Sequence, residues 1–553
     1  MYIFHFLRSF LPLRNPLGFG ASDFIELALA ILLLGLLFAW AWSSGFFEKL
    51  ANRTGWSMLL IGLLPVALRL LLLPHCPIPV PAGADDFSYI LLGDTLAHFH
   101  LANPPHPLSQ FFESIFVLQQ PTYSSIYPLG QGLFLALGRL LFGSFWAGVL
   151  ISTGLFCATC YWMLRGWITP GWALMGGAVA VMTFGPLCQW TNSYWGGAVS
   201  ATAGCLVFGA LPRLKTGERA PIILGAGLAL ELLARPFEFI LLCVSVAAFF
   251  IWTRLAGLRR LVIPICFVAG ALALTGLQDK AVTGSWTTLP YMLSRYEYGV
   301  PTTFTFQPNP VPHRALTPEQ ELDYRAQAAV HGEGTDTIGA FFQRLGFRIR
   351  YYRFFLFAPL YIAVAIFLLN ARSRYDWWIV ATIVLFALGT NFYPYFYPHY
   401  IAAEACLFIL IAMRGLERLS RSKPQFSRLI LLMCGAQFLF WYGLHAFAGE
   451  NLWDMFRYEA WDFINYGDPE GRIAVNERLN AAPGQHLVFV RYWPGHGFHE
   501  WLHNSAGIDS SRIVWALDLG PDENEKLLRY FPHRDPWLLQ PDAQPPKLAP
   551  YKK

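Results

Sequence analysis

Two adjacent carboxylates, Asp85 and Asp86, follow the apolar run LRLLLLPHCPIPVP, and a third, Asp94, comes nine residues after the first in ADDFSYILLGDTLAHFH. Carboxylates beside a hydrocarbon layer are costly to hold and normally serve a site or a wet cavity. The plainer role is starting a helix: an aspartate ahead of FSYILLGDTLAHF makes a good N-cap, and Asp86 is the nearer cap. One residue covers that need. Neighbouring helix positions point about 100° apart, so one aspartate can begin the helix while the other faces a site.

The following stretch, HFHLANPPHPLSQFFESIFVLQQPTYSSIYPLGQG, carries His98, His100, His106, Glu113, Gln119, Gln120, Tyr123 and Tyr127. These are side chains that hydrogen-bond sugars, set beside aromatic faces. The histidines lack a metal-binding spacing such as HExxH. Further along, QWTNSYWGG offers Trp190, Tyr194 and Trp195, expected as an interfacial aromatic belt. ELLARPFEF holds Arg235 between Glu231 and Glu238, where it either grips a lipid phosphate or pairs with the glutamates. SRYEYG adds Arg295, and NFYPYFYPHYIAAE adds His399. Three helix ends supplying a cation or a histidine suit an anionic lipid headgroup; taken singly they also suit snorkelling anchors. Near the C-terminus, RYWPGHGFHEWLHN contains His496, His499, Glu500 and His503. On a helix His499 and His503 would share a face, but with no second cluster no metal is expected. No phosphate-binding glycine loop or serine-hydrolase elbow occurs in a suitable context.

These groups must be positioned by a membrane protein. Of 553 residues, 55% are hydrophobic and 14% charged, with a mean hydropathy of +0.40, which excludes an ordinary soluble enzyme. The net charge of +5 falls largely in short loops between apolar runs, which argues for topology and against nucleic-acid binding. The nine cysteines sit mostly in apolar segments and read as small core residues. MYIFHFLRSFLPLRNP shows no removable signal peptide.

Apolar stretches run at 24–46, 56–74, 147–164, 170–188, 196–212, 221–234, 236–254, 260–277, 353–370, 376–391, 398–414 and 427–447, predicting about 11–12 transmembrane helices. Basic loops at 213–219, 253–260, 372–374 and 414–428 are expected on the cytoplasmic side. Outer loops 75–146 and 278–352 and the segment 448–553 then share the opposite face. YPLGQGLFLALGRLLFG, with Gln131 and Arg139, is expected to be an interfacial or re-entrant helix. The chain thus divides into a membrane domain, 1–447, and a C-terminal domain, 448–553, in which HLVFVRYW, SRIVWALDL and PWLLQPD alternate with helix-compatible stretches. That pattern predicts a small α/β domain with parallel strands.

With ADDFSY followed by SIYPLGQGLFLALGRLLFG, the chain resembles the GT-C superfamily of integral membrane glycosyltransferases, in the protein O-mannosyltransferase and aminoarabinose transferase branch. The resemblance implies transfer of a sugar from a polyprenyl-phosphate donor at the periplasmic face of a bacterial inner membrane, with inversion and without an essential divalent metal or other cofactor. It implies that Asp85 or Asp86 is the general base, Asp85 being favoured. It further implies that Arg235, Arg295 and His399 hold the donor phosphate, and that His106, Glu113, Tyr123 and Tyr127 contact sugar or acceptor. The partners implied are membrane lipids, the lipid-linked donor, and a glycan, lipid or protein acceptor. The chain departs from the family pattern in its Asp-Asp pair, where Asp-Glu is usual, and in QWTNSYWGG, which offers Asn192 where a second acidic motif is common. A transporter or lipid flippase, or a non-catalytic scaffold, is the alternative; a transporter would call for more charge in mid-span.

Overall fold

The computed structural model describes residue 28, residues 45–447 apart from 216, 218, 254–258, 333 and 335, and residues 471–552. The apolar stretch at 24–46 and the expected domain boundary at 448 lie almost wholly outside the described residues. Each of the other eleven apolar stretches carries a helix. In chain order the helical part consists of α1 (Thr54–Leu71), α2 (Ala84–Ala97), α3 (Leu129–Phe142), α4 (Phe145–Leu164), α5 (Pro170–Phe184), α6 (Ala198–Ala210) and α7 (Ala220–Ala234). It continues with α8 (Pro236–Thr253), α9 (Arg259–Thr283), α10 (Pro290–Tyr298), α11 (Pro318–His331), α12 (Ile338–Arg348), α13 (Leu360–Leu369), α14 (Arg374–Thr390), α15 (Ala405–Ser422) and α16 (Pro424–Phe447).

Among the described residues six helices are long and apolar enough to cross a membrane, or seven if the pair Ile338–Phe355 and Leu360–Leu369, bent by 113°, is one span. The remaining apolar helices are shorter than the ~20 residues of a straight crossing. Helix α3 has 14 residues and leaves Leu133, Leu137, Leu140, Leu141 and Phe142 exposed, while its other face packs on α2, α4 and α7. Glycines permit those contacts: a Cβ on Gly148 would lie 2.0 Å from the Phe134 carbonyl oxygen, and one on Gly130 would lie 2.7 Å from Cα of Ala234.

Described residues at the ends of the basic loops, Lys215, Thr253 and Arg414, come together at one place in the bundle. A cavity of about 290 Å³ there is lined by Trp167, Lys215, Thr253, Tyr375 and Arg414, and Asp376 is paired with Arg414 (2.9 Å) and Arg418 (2.7 Å).

In the C-terminal part, α17 (Arg472–Ala481) and α18 (Pro521–Tyr530) flank a sheet of β3 (His486–Val490), β4 (Ile513–Leu517), β5 (Asp535–Gln540) and β6 (Lys547–Pro550), following a two-residue pair β1 (Val117–Leu118) and β2 (Ser124–Ser125) in the first outer loop. The sheet order is β4-β3-β5-β6; β3 is parallel to both neighbours, His486 lying opposite Ile513 and Asp535, and β6 is antiparallel. Strand β3 is buried throughout, as a central parallel strand covered on both faces must be. Its alternation divides two cores. Val488 and Val490 pack with Val475 and Leu479 of α17. Leu487 and Phe489 share a cluster with Phe111, Phe112 and Tyr123 of the first outer loop and with Leu91 of α2. The C-terminal sheet and the helix bearing the aspartates therefore share one core.

Candidate active site

Helix α2 begins at Gly83, whose extended backbone (φ −81°, ψ 154°) makes it the N-cap, so Asp85 and Asp86 both fall in the first turn. This corrects the expectation that Asp86 is the cap. Two carboxylates there meet the positive end of the helix dipole. Their side chains diverge, as the helix geometry requires. Asp86 is buried; its Oδ2 accepts from the backbone N–H of Ala82 (3.3 Å) and its Oδ1 from that of Tyr194 (2.9 Å). It fastens the chain entering α2 to the QWTNSYWGG segment. Asp85 points the other way, keeps some accessible surface, and accepts a hydrogen bond from the Tyr127 hydroxyl. Tyr127 in turn stacks on Tyr89, one turn along α2, with ring centroids 4.1 Å apart.

Burial raises the Asp85 carboxyl to about 6, against the Tyr127 hydrogen bond and the positive charge of Arg235, which both lower it. Burial also raises Asp86 to about 7, and the neighbouring charge of Asp85 adds to that. The Tyr127 hydroxyl lies well above its usual range through burial and the charge of Asp85, so it remains a donor.

Arg235 closes α7, its backbone N–H bonded to the Glu231 carbonyl (2.6 Å) and its own φ/ψ (−145°, 81°) outside the helical region. The close approach of Gly130 to Ala234 brings this helix end against the start of α3, and hence toward Tyr127. Its guanidinium lies over the Tyr400 ring at 5.1 Å, and among the described residues it forms no hydrogen bond or ion pair with any carboxylate. Glu231 instead accepts from Ser200 (2.9 Å), and one oxygen of the buried Glu238 has no partner among the described residues. Arg235 makes no direct ion pair with Glu231 or Glu238 among the described residues, although its charge acts on both. His399 stacks on Tyr397 (5.6 Å, 3°) and meets Trp195 edge-on, and its ring feels the charge of Arg235. The indole N–H of Trp195 is buried without an acceptor among the described residues.

Asp85, Tyr127, Arg235 and His399 thus converge. Arg295 lies at the edge of this group, stacked over Tyr291, with Nε and Nη2 donating to the carbonyls of Pro301 and Thr302 (both 3.0 Å). The other three residues expected to contact sugar or acceptor are placed elsewhere. His106 bonds Asp509 (3.1 Å) and packs on Phe112 and Tyr530, Tyr123 donates to the Asn504 carbonyl (3.0 Å), and Glu113 is held by Arg314, Tyr298 and Gln320. All three seal the first outer loop to other parts of the protein. The C-terminal histidines do not form a helix either. His496 bonds Asp542 (2.7 Å), and His503 stacks on Phe87 of α2 (4.6 Å). Among the described residues no group of three or more His, Cys, Asp or Glu is arranged to hold a metal ion.

The QWTNSYWGG segment is internal, contrary to the interfacial belt expected. Trp190 is fully buried against Phe156, Phe184 and Phe354, and Asn192 accepts from Arg69 Nε (2.7 Å). Sequence reading also passed over Tyr89 and Tyr400. Tyr89 stands four residues after Asp85, the helical spacing that puts two side chains on one face, and that spacing was available as a signal.

No protein-family model matches the chain, and no curated protein sequence matches it. Solved structures do. ArnT from Cupriavidus metallidurans in the apo state superposes with a TM-score of 0.50 at 13% identity, covering 88% of this chain and 93% of that one. The fold is that of ArnT. The likeness extends to the same ArnT bound to undecaprenyl phosphate, with a TM-score of 0.50 at 11% identity and coverage of 86% and 92%. The Archaeoglobus fulgidus oligosaccharyltransferase in complex with Zn and sulfate matches with a TM-score of 0.43 at 13% identity, over 88% of this chain and 67% of that one.

Proposed function

We propose that the protein is a polyprenyl-phosphate-dependent glycosyltransferase whose general base is Asp85. The observation that carries this reading is a carboxylate held by the Tyr127 hydroxyl and lying within the field of an arginine that makes no hydrogen bond or ion pair with a carboxylate among the described residues. That ArnT was solved with undecaprenyl phosphate supports the same donor class here.

In this reading Arg235 holds the donor phosphate through charge-assisted hydrogen bonds, over the Tyr400 ring. Asp85 accepts the proton of the acceptor hydroxyl as that oxygen attacks the anomeric carbon from the face opposite the phosphate. The bond from the anomeric carbon to the phosphate oxygen breaks, and the electron pair leaves with the polyprenyl phosphate. Arg235 stabilises the charge that grows there. The configuration inverts, and the proton on Asp85 passes to solvent. A carboxyl near 6 is a stronger base than an ordinary aspartate and is still ionised at neutral pH. Asp86, tied to two backbone amides, orients the turn. The placement of basic residues along the sequence, which sets the basic loops on the side opposite the loop bearing the aspartates, supports action at the periplasmic side of a bacterial inner membrane.

The test uses the full chain in lipid nanodiscs with undecaprenyl phosphate carrying glucose, mannose, galactose or arabinose, and measures release of undecaprenyl phosphate in the presence of host envelope extract. Release with at least one donor is expected. No release with any of them, and no binding of undecaprenyl phosphate, would overturn the reading.

A further inference from the structure

The cavity of about 290 Å³ beside the basic loops is separate from the site described above, and none of Asp85, Tyr127, Arg235 and His399 lines it. Each basic loop, though far from the others in the chain, supplies or adjoins one of its polar lining residues. Lys215 belongs to 213–219, Thr253 to 253–260 and Arg414 to 414–428, and Tyr375 follows 372–374. The floor is aromatic. Trp167 stacks on the buried Trp378 (5.8 Å, 11°) and meets the buried Phe249 (6.3 Å) and Tyr375 (6.1 Å) edge-on. Its indole N–H already donates to the Phe208 carbonyl (2.9 Å), so the floor offers ring faces alone.

The rim is cationic. Lys215 is exposed and makes no hydrogen bond or ion pair among the described residues. The guanidinium of Arg374 lies over the Tyr375 ring at 5.3 Å. Arg414 shares Asp376 with Arg418, reaching it through Nη1 alone (2.9 Å). No carboxylate is among the lining residues. The two that neighbour them in sequence are engaged, Asp376 by both arginines and Glu417 by the Thr169 hydroxyl (2.8 Å). Positive charge at the rim is therefore left uncompensated. Apolar surface continues outward beside it: Ile251 and Trp252, which precede Thr253, are 79% and 48% exposed. A cationic rim next to lipid-facing apolar side chains suits an anion that carries hydrocarbon. Basic pockets between helix ends at the cytoplasmic face of a membrane recognise such headgroups.

We infer that this cavity binds the phosphate headgroup of an anionic phospholipid of the cytoplasmic leaflet, with Lys215 and Arg414 contacting the phosphate and Ile251 and Trp252 lying beside the acyl chains. The lipid joins the ends of α6, α8, α14 and α15, and its site is independent of the donor phosphate proposed at Arg235. Native mass spectrometry tests this on the full chain in detergent, titrated with phosphatidylglycerol or with phosphatidylcholine of the same acyl chains.

The wild type should bind phosphatidylglycerol about tenfold or more tightly than phosphatidylcholine. Lys215→Gln should reduce that preference about fivefold, the effect of one charge near a lipid phosphate, and Lys215→Glu should abolish it. Lys215→Arg should keep it. Lys280→Gln, at the far end of α9, where the Nζ donates to the Gly284 carbonyl (2.6 Å), should leave it unchanged, as should Arg235→Ala. Equal affinity for the two lipids in the wild type, or full preference in Lys215→Glu, overturns the site. A loss in Lys280→Gln as large as in Lys215→Gln makes the preference one of diffuse charge and also overturns it. Displacement of phosphatidylglycerol by millimolar inorganic phosphate assigns the cavity to a free anion and overturns the lipid assignment. All of these outcomes leave the glycosyltransferase reading standing, since that reading is tested at Arg235 and Asp85.

Discussion

The hydroxyl of Tyr127 donates a hydrogen bond to the carboxylate of Asp85. That single contact joins the first turn of α2 to the entrance of α3, and it aims Asp85 away from the backbone amides that hold Asp86. Adjacent in sequence, the two aspartates have separate work.

Asp85→Asn should lower the rate of undecaprenyl phosphate release by about 10² to 10⁴, the usual contribution of a general base. Binding of bare undecaprenyl phosphate should stay within twofold of wild type. Rapid-quench turnover and equilibrium binding measure the two quantities separately.

Asp86→Asn should act on folding. It replaces one of the two accepting oxygens by an N–H₂ group facing a backbone N–H donor in a buried place, a loss of about 1–3 kcal/mol. A lower melting temperature in detergent or nanodiscs checks this, and an unchanged one would free Asp86 for another role.

The rate should rise with pH through an acid limb near 6, because the base works only when ionised and burial lifts Asp85 to about 6. Tyr127→Phe removes a hydrogen bond that favours the ionised form. The limb should therefore move to higher pH, and the pH–rate profiles of the two proteins show the displacement directly.

Arg235→Ala should weaken undecaprenyl phosphate by roughly 10- to 100-fold, the range expected for charge-assisted hydrogen bonds at a phosphate. Arg295→Ala should have a smaller effect, since two of its nitrogens hold the carbonyls of Pro301 and Thr302. Lipid titration of both variants separates the two arginines.

Arg472→Ala should loosen the C-terminal domain. The guanidinium lies 4.8 Å from the Phe87 ring and 4.3 Å from the Trp501 ring, and it donates to the Glu500 carbonyl (2.6 Å). Faster limited proteolysis within residues 471–552 is the expected sign.

Much of this was legible in the chain, for physical reasons that also mark where legibility ends. Apolar run length locates helices, and β-branched runs with helix-compatible spacers locate β3, β4 and β5, because burial imposes those periods locally. The Asp85–Asp86 pair stood out because charge beside hydrocarbon is costly. The partners of a polar side chain are set by tertiary contacts. Glu113, His106 and Tyr123 looked like sugar ligands by type, yet their partners lie 201, 403 and 381 residues away at Arg314, Asp509 and Asn504. Trp190 was expected at an interface because tryptophans gather there, but the turn that carries it folds inward to hold Asp86.

The most direct measurement is the turnover of undecaprenyl-phosphate-linked sugar by Asp85→Asn and Asp86→Asn side by side, each normalised to folded protein. The assignment of Asp85 as base predicts release reduced by at least a hundredfold in Asp85→Asn with lipid binding intact, and activity retained by whatever fraction of Asp86→Asn folds. Full turnover by folded Asp85→Asn would contradict it.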